Sequence, residues 1–180
     1  MIVKRFVDPV SSTHTYVIAK SKGGKAVIID PVISEVERYV DYLNLMGLTL
    51  TKALDTHVHA DHITALPWLR KSLKCITMAG KESQVKAVSV RFKDGDIIKI
   101  DKNLELKVLS TPGHTSDSYC FHMEGMVFTG DTLFIRGCGR TDFQNGSSKA
   151  LYESIQEKLF TLPDSTVVYP GHDYKGELQS

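Results

Sequence analysis

The chain carries seven histidines, and three of them stand together in His57-Val58-His59-Ala60-Asp61-His62. A run of H-x-H-x-D-H arises by chance in about one sequence per thousand of this composition. A solvated polar loop is the bland alternative, but this cluster directly follows an apolar strand, where loops carry chemistry. In an extended turn His57 and His59 project to the same side. Asp61 and His62 are expected to open a helix whose N-terminal dipole lies beside them. Imidazoles with one carboxylate suit a borderline first-row cation such as Zn(II) or Fe(II), whereas calcium and magnesium favour all-oxygen sites.

Further donors follow later strands. His114 sits in Thr111-Pro112-Gly113-His114-Thr115, Asp131 in Thr129-Gly130-Asp131-Thr132, and His172 in Tyr169-Pro170-Gly171-His172-Asp173. Each repeats one order: an apolar strand, a small or turn-forming residue, then a donor, with glycine and proline permitting a tight turn. A single histidine after a strand is more often a hydrogen-bonded core residue than a ligand. Four strand ends bearing His or Asp point to a metal site.

The elements that must position these donors read as short strands alternating with helices. Ile2 to Val7, Thr15 to Ala19, Ala26 to Asp30 and Lys52 to Thr56 are expected strands, with a hairpin turn at Lys22 to Lys25. Ile33, Val36, Val40 and Leu43 have helical spacing, with Ser34 and Glu37 as a capping box and Gly47 as the stop. A second helix is expected over Thr64 to Leu73, restricted at its start by Pro67. Strands follow at Cys75 to Met78, Ile97 to Ile100 (after an Asp94-Gly95 turn), Leu104 to Leu109, Tyr119 to His122 and Met126 to Thr129. A last helix from about Ser148 to Phe160 and a strand at Thr166 to Tyr169 complete the order. Helices outside packed sheets make this an α/β protein with a single domain over residues 1–180.

Composition narrows the function classes. Of 180 residues, 42% are hydrophobic, enough for one sizeable core. Charges nearly balance, 22 basic against 21 acidic for a net +1, which gives no reason to expect nucleic acid or an anionic membrane as partner. No apolar stretch approaches the roughly 20 residues of a membrane span. The N-terminus lacks signal-peptide and transit-peptide features. Cys75, Cys120 and Cys138 form no paired framework, which suits a reducing cytoplasm.

The set His57, His59, Asp61, His62, His114, Asp131 and His172 resembles the metallo-β-lactamase superfamily, which implies an αββα sandwich with metal at one edge. Three segments look like the persulfide dioxygenase branch: Asp8 to Tyr16, Asp131 to Gln144, and Tyr169 to Tyr174. The related glyoxalase II usually lacks Arg136 and the run Thr141-Asp142-Phe143-Gln144. The resemblance implies one Fe(II) per chain held by His57, His114 and Asp131, with positions open for substrate and oxygen. It implies oxidation of glutathione persulfide, or a related low-molecular-weight persulfide, by O₂ to sulfite and thiol. His59, Asp61, His62 and His172 would then orient ligands and iron-bound water. The alternative is a hydroxyacylglutathione thioester hydrolase, in which the same residues hold two Zn, Fe or Mn ions.

Arg140 and Tyr174 match residues that contact glutathione in glyoxalase II. Their other readings are an Arg140–Asp142 pair and a tyrosine packed over the sheet edge. Asp30 has two readings as well, a hydrogen bond toward the site or an acceptor in the turn leading to Pro31. Arg136 is expected to be structural, Cys138 a small residue in a crowded turn, Cys75 and Cys120 buried, His14 and His122 ordinary polar positions, and Trp68 core. Family members continue beyond the His172 strand, so part of the outer helical layer is expected to be missing. The resemblance leaves room for a homodimer and for a sulfurtransferase partner.

Overall fold

Apolar residues alternate along most strands, and in the computed structural model this sorts them into two sheets facing each other. The structure describes residues 1–86 and 88–174. The first sheet holds β1 (Ile2–Val7), β2 (His14–Ala19), β3 (Lys25–Ile29), β4 (Thr49–Leu54), β5 (Ile76–Gly80) and β6 (Val90–Phe92), in that order. The second holds β7 (Ile97–Asp101), β8 (Leu104–Ser110), β9 (Tyr119–Met123), β10 (Met126–Gly130) and β11 (Val167–Pro170), again in chain order. The β3–β4, β4–β5, β5–β6 and β10–β11 pairs are parallel, and the others antiparallel.

Period-two alternation divides the core. Ile18, Val27, Ile29 and Leu54 face Leu106, Val108, Phe121 and Phe128 between the sheets. Their neighbours Val17, Ala26, Ile28 and Ala53 point the other way, against α1 (Val36–Met46) and α2 (Leu66–Leu73). Strand β2 is therefore buried at all six positions. The second sheet is covered by α3 (Ser148–Ser154) and a π-helical turn over Ile155–Leu159, through Leu159 and Ile155 on Leu109 and Val127. Its outer face is otherwise wet, as Glu105 and Lys107 show. The layering is αββα, as expected.

Two local expectations need correction, and one strand was not foreseen. Ser34 and Glu37 form no capping box: a 3₁₀ turn over Ile33–Glu35 precedes α1, and the Ser34 hydroxyl donates instead to Asp8 Oδ1 at 3.1 Å. A partner 26 residues away outcompetes the local cap. The helix after the histidine cluster starts at Leu66, so Asp61 and His62 lie in irregular backbone rather than at a helix start. Strand β6 has only three residues, too short for its alternation to stand out. The predicted stop of α1 is correct: Gly47 adopts φ 62°, its N–H bonds Asn44, and the Leu48 N–H reaches the Leu43 carbonyl at 2.8 Å. No helix among the described residues is long and apolar enough to cross a membrane.

Candidate metal centre

The loops that leave β3, β4, β8, β10 and β11 meet at one rim of the sandwich. Main-chain bonds stitch that rim. The Tyr119 N–H reaches the Thr56 carbonyl at 2.9 Å, the His14 N–H reaches Gly171 at 2.7 Å, and the Gly171 N–H reaches Gly130 at 2.8 Å. Donors from both sheets are thereby presented in one frame. His57, His114 and Asp131 each offer a ligand atom within 4.8 Å of the other two. The His57 and His114 rings meet edge to face, 4.9 Å between centroids, and His114 Nε2 is 3.5 Å from Asp131 Oδ2.

Each imidazole is oriented by an oxygen on its far side. His114 Nδ1 donates to the Arg140 carbonyl at 2.8 Å, and His172 Nδ1 to the Ser12 carbonyl at 3.1 Å. Because a carbonyl only accepts, both rings turn the Nε2 lone pair inward. His172 Nε2 lies 3.5 Å from Asp61 Oδ2 and from Asp131 Oδ1. His57 Nδ1 donates to Thr56 Oγ1 at 2.8 Å, and that hydroxyl donates to Asp30 Oδ2 at 2.9 Å. Asp30 Oδ1 accepts the Thr56 N–H at 2.7 Å and His59 Nε2 at 3.2 Å. Of its two readings, Asp30 thus takes the one directed at the site, on a backbone at φ 52°.

A second group, His59, Asp61 and His62, lies alongside. The His57 and His59 rings are 4.2 Å apart, as are those of His59 and His62. Thr13 Oγ1 donates to Asp61 Oδ2 at 2.9 Å and sits 3.1 Å from His62 Nδ1. Ser11 Oγ, 2.8 Å from Thr13 Oγ1, continues this chain to Asp8 Oδ2 at 2.7 Å.

Burial sets the protonation. It holds His57 well below the usual imidazole range, helped by His59 and His114, and it lowers His114 and His172 as well. All three keep a free lone pair at neutral pH, as ligation requires. Burial pushes Asp131 up to about 7, and Asp55 likewise to about 7. For His59 burial opposes the charge, but the Asp30 carboxylate overrides it and raises the ring to about 9. Burial raises Asp61 too, yet hydrogen bonds from His62 and Thr13 hold it below the usual carboxylate range.

These residues fit a first-row cation. Three converging donors of the nitrogen and carboxylate type suit such an ion. In addition, His59 Nδ1, His62 Nε2 and Asp55 Oδ2 are buried without a hydrogen-bond partner among the described residues. Each such atom costs about 1–3 kcal/mol unless an ion or water satisfies it. Two motif glycines make the approach feasible. A Cβ on Gly171 would fall 2.6 Å from Asp131 Oδ1, and one on Gly139 would fall 2.2 Å from the Asp131 carbonyl oxygen.

A cleft of about 430 Å³ opens over the three donors, walled by Phe134, Cys138, Arg140, Phe143 and Tyr174. Tyr174 stacks on the His172 ring at 4.9 Å and 8°. Arg140 is exposed and pairs with Asp142 through two bonds of 2.8 and 3.0 Å. Cys138 is exposed, so the crowding expected there belongs to Gly139 instead. His14 is buried beneath the rim, and burial lowers it to about 4, which is no ordinary polar position. Cys75 and Cys120 are buried as expected, and Trp68 is half-buried against the α1/α2 core.

A family model described as the metallo-beta-lactamase superfamily matches residues 8–87 and 84–172. The chain belongs to the metallo-beta-lactamase superfamily. Within that superfamily it is 41% identical over 179 residues to the human protein named persulfide dioxygenase ETHE1, mitochondrial, covering 98% of this chain and 70% of the relative. It is 37% identical over 180 residues to a hydroxyacylglutathione hydrolase from a Polaromonas species, covering 97% and 67%. The crystal structure of ETHE1 from Myxococcus xanthus superposes with a TM-score of 0.93 at 46% identity, over 98% of this chain and 77% of that one.

Sequence reading of this superfamily member missed Thr13 and Thr56, whose hydroxyls touch three of the histidine-cluster residues. Thr56 directly precedes His57 and could have been noticed there. Thr13 lies 48 residues from Asp61. Its only signal was membership in the Asp8 to Tyr16 segment.

Proposed function

We propose that the chain is an iron-dependent persulfide dioxygenase, acting on glutathione persulfide or a related low-molecular-weight persulfide. His57, His114 and Asp131 would hold one Fe(II), which supplies redox chemistry toward O₂ and a Lewis-acid position for the terminal sulfur. The observation that carries this reading is the convergence of those three donors beneath a cleft with apolar walls. Similarity to the human persulfide dioxygenase over nearly the whole chain supports it.

The overall conversion takes one persulfide, one O₂ and one water to thiol, sulfite and two protons. The side chains prepare it. Arg140 and Asp142 hold each other at the mouth, so a substrate carboxylate would exchange for Asp142 in a bidentate pair. Phe143 and Tyr174 would cover the carrier thiol and limit water. His172, whose Nε2 lies 3.5 Å from both Asp61 and Asp131, can with Asp61 hold a proton or orient water near the reacting sulfur.

The dinuclear hydrolase is the second reading, favoured by the His59, Asp61 and His62 group. The Thr13 hydroxyl takes Asp61 Oδ2 and lies on His62 Nδ1, which leaves His62 Nε2 open, and the first reading is preferred for the Asp131 to Gln144 segment that resembles the dioxygenase branch. A cytoplasmic location, a homodimer and a sulfurtransferase partner belong to the same proposal.

Anaerobic reconstitution with Fe(II), followed by O₂ uptake and sulfite detection, tests the assignment. One iron per chain with persulfide-dependent uptake is expected, and Asp131→Ala should abolish iron retention. Two metals with thioester cleavage and no sulfite would replace this reading with the hydrolase.

A further inference from the structure

Val58 separates the first two histidines of the cluster, and both of its main-chain polar groups are held by side chains from the other half of the sandwich. Its N–H donates to Asp117 Oδ2 at 3.1 Å. Its carbonyl accepts from Gln144 Nε2 at 3.2 Å. Asp117 comes from the loop between β8 and β9, Gln144 from the loop between β10 and α3. Residues 57–63 have no regular structure, so no ladder partner fixes this peptide.

Both anchors are themselves held. Buried Asp117 sits in a turn closed by the Thr115 N–H on Ser118 Oγ at 3.1 Å and the Thr111 N–H on the Ser118 carbonyl at 2.9 Å. Gln144 and Asn145 are consecutive non-glycine residues at φ 47° and 58°. Such backbone costs on the order of 1 kcal/mol or more per residue and persists only where its surroundings impose it. Here the Gly146 N–H bonds the Phe143 carbonyl at 2.9 Å, and the Thr141 and Ser148 hydroxyls meet at 2.6 Å. Gln144 ends the run Thr141-Asp142-Phe143-Gln144, in which Asp142 pairs with Arg140 at the cleft mouth and Phe143 and Gln144 line the cleft.

We propose that Gln144 and Asp117 are positioning residues, which grip the Val58 peptide from both ends and so set the orientation of His57 relative to His59. The inference rests on the metal-binding part of the proposed function, not on the persulfide chemistry. Freed at either end, the peptide can rotate and carry the His57 ring away from His114 and Asp131.

The test is a Co(II) titration of the purified full chain, read by visible absorption, with hydrogen exchange at the Val58 N–H of the metal-free protein. Gln144→Ala and Gln144→Glu, the latter replacing the Nε2 donor by an acceptor, should each weaken Co(II) binding at least about tenfold and change its spectrum. Asp117→Ala should do the same and speed Val58 exchange about tenfold or more, whereas Asp117→Asn keeps an acceptor oxygen and should restore both. Exchange in β4 should stay at its original rate. Wild-type affinity and spectrum in both Gln144 variants would overturn the clamp, and so would losses matched by faster exchange throughout β4. If the unsubstituted protein binds Co(II) but shows no persulfide-dependent O₂ uptake, the activity reading falls while the titration still decides the clamp. If it binds no Co(II), unchanged Val58 exchange in Asp117→Ala overturns the clamp, and faster exchange restricted to Val58 sustains it.

Discussion

Replacing Thr56 by valine removes one hydroxyl and leaves the volume nearly unchanged. The loss falls on two buried groups. The Thr56 hydroxyl stands between His57 Nδ1 at 2.8 Å and Asp30 Oδ2 at 2.9 Å. Asp30 keeps the Thr56 N–H and His59 on its other oxygen. His57 Nδ1 loses its oriented acceptor. At about 1–3 kcal/mol for each buried group left without a partner, the metal-free protein should lose about 3 kcal/mol. With a urea slope of about 2 kcal/mol/M, the midpoint falls by about 1.5 M. Metal affinity falls for a separate reason. Without Thr56 as acceptor, the proton on His57 is free to move to Nε2, the nitrogen that must face the ion. A loss of about 10–100-fold is expected, equivalent to about 1.4–2.7 kcal/mol. Chelator competition under anaerobic conditions measures the affinity, and urea denaturation of the metal-free protein measures the stability. Thr56→Ser restores the hydroxyl and should regain most of the affinity. A valine variant that binds metal within twofold of the unsubstituted protein would refute the argument about the His57 proton, whatever its stability.

Three further outcomes follow from the same geometry. Gly171→Ala places a Cβ 2.6 Å from Asp131 Oδ1 and should cost at least tenfold in metal affinity; retention of full iron content would contradict it. Arg140→Ala should leave thermal stability unchanged and raise KM for glutathione persulfide several-fold with little effect on kcat, because its ion pair with Asp142 is exposed; an unaltered KM would remove Arg140 from substrate contact. Asp55 and Asp131 both titrate near 7 in the fold and near 4 when unfolded, so the folded state binds more protons over that interval. Their contribution to stability is lost as pH rises from about 4 to 7, opposite in sign to that of the buried His14, His57, His114 and His172, so the test is a difference: in equilibrium urea unfolding of the metal-free protein, Asp55→Asn should gain stability relative to the unsubstituted chain as pH rises through that window. A stability difference between Asp55→Asn and the unsubstituted chain that stays constant or falls across that window would reject the burial argument for Asp55.

How legible each part was depends on the range of the interactions that decide it. Gly47 ends α1 through bonds to Asn44 and Leu43, all within five residues, and local sequence is enough to read it. The donors His57, His114, Asp131 and His172 were legible because each comes within four residues of a strand's end, and strands have a period that sequence displays. Ser34 misled because its spacing to Glu37 satisfies a local rule while its hydroxyl goes to Asp8. Nothing local marks that competition. Cys138 and Gly139 are adjacent, yet only Gly139 is pressed against Asp131, a difference set by which way the turn after Phe134 folds.

The parts that local sequence could not show share one property: they join loops far apart in the chain. Thr13 and Asp30 belong to the first sheet and bond the cluster after β4, whereas Asp117 and Gln144 reach it from the second. The three proposed ligands are divided in the same way, with His57 from the first sheet and His114 and Asp131 from the second. An ion held by all three would therefore cross-link the halves at the rim that Tyr119, His14 and Gly171 already stitch through main-chain bonds. Such an ion would add RT ln(1 + [M]/Kd) to the stability of the sandwich. That gain depends on the donors being aligned before binding. Hydroxyls and amides that reach across the rim thus bear on folding and on metal affinity together, which explains why a site with legible ligands has supports spread through the chain.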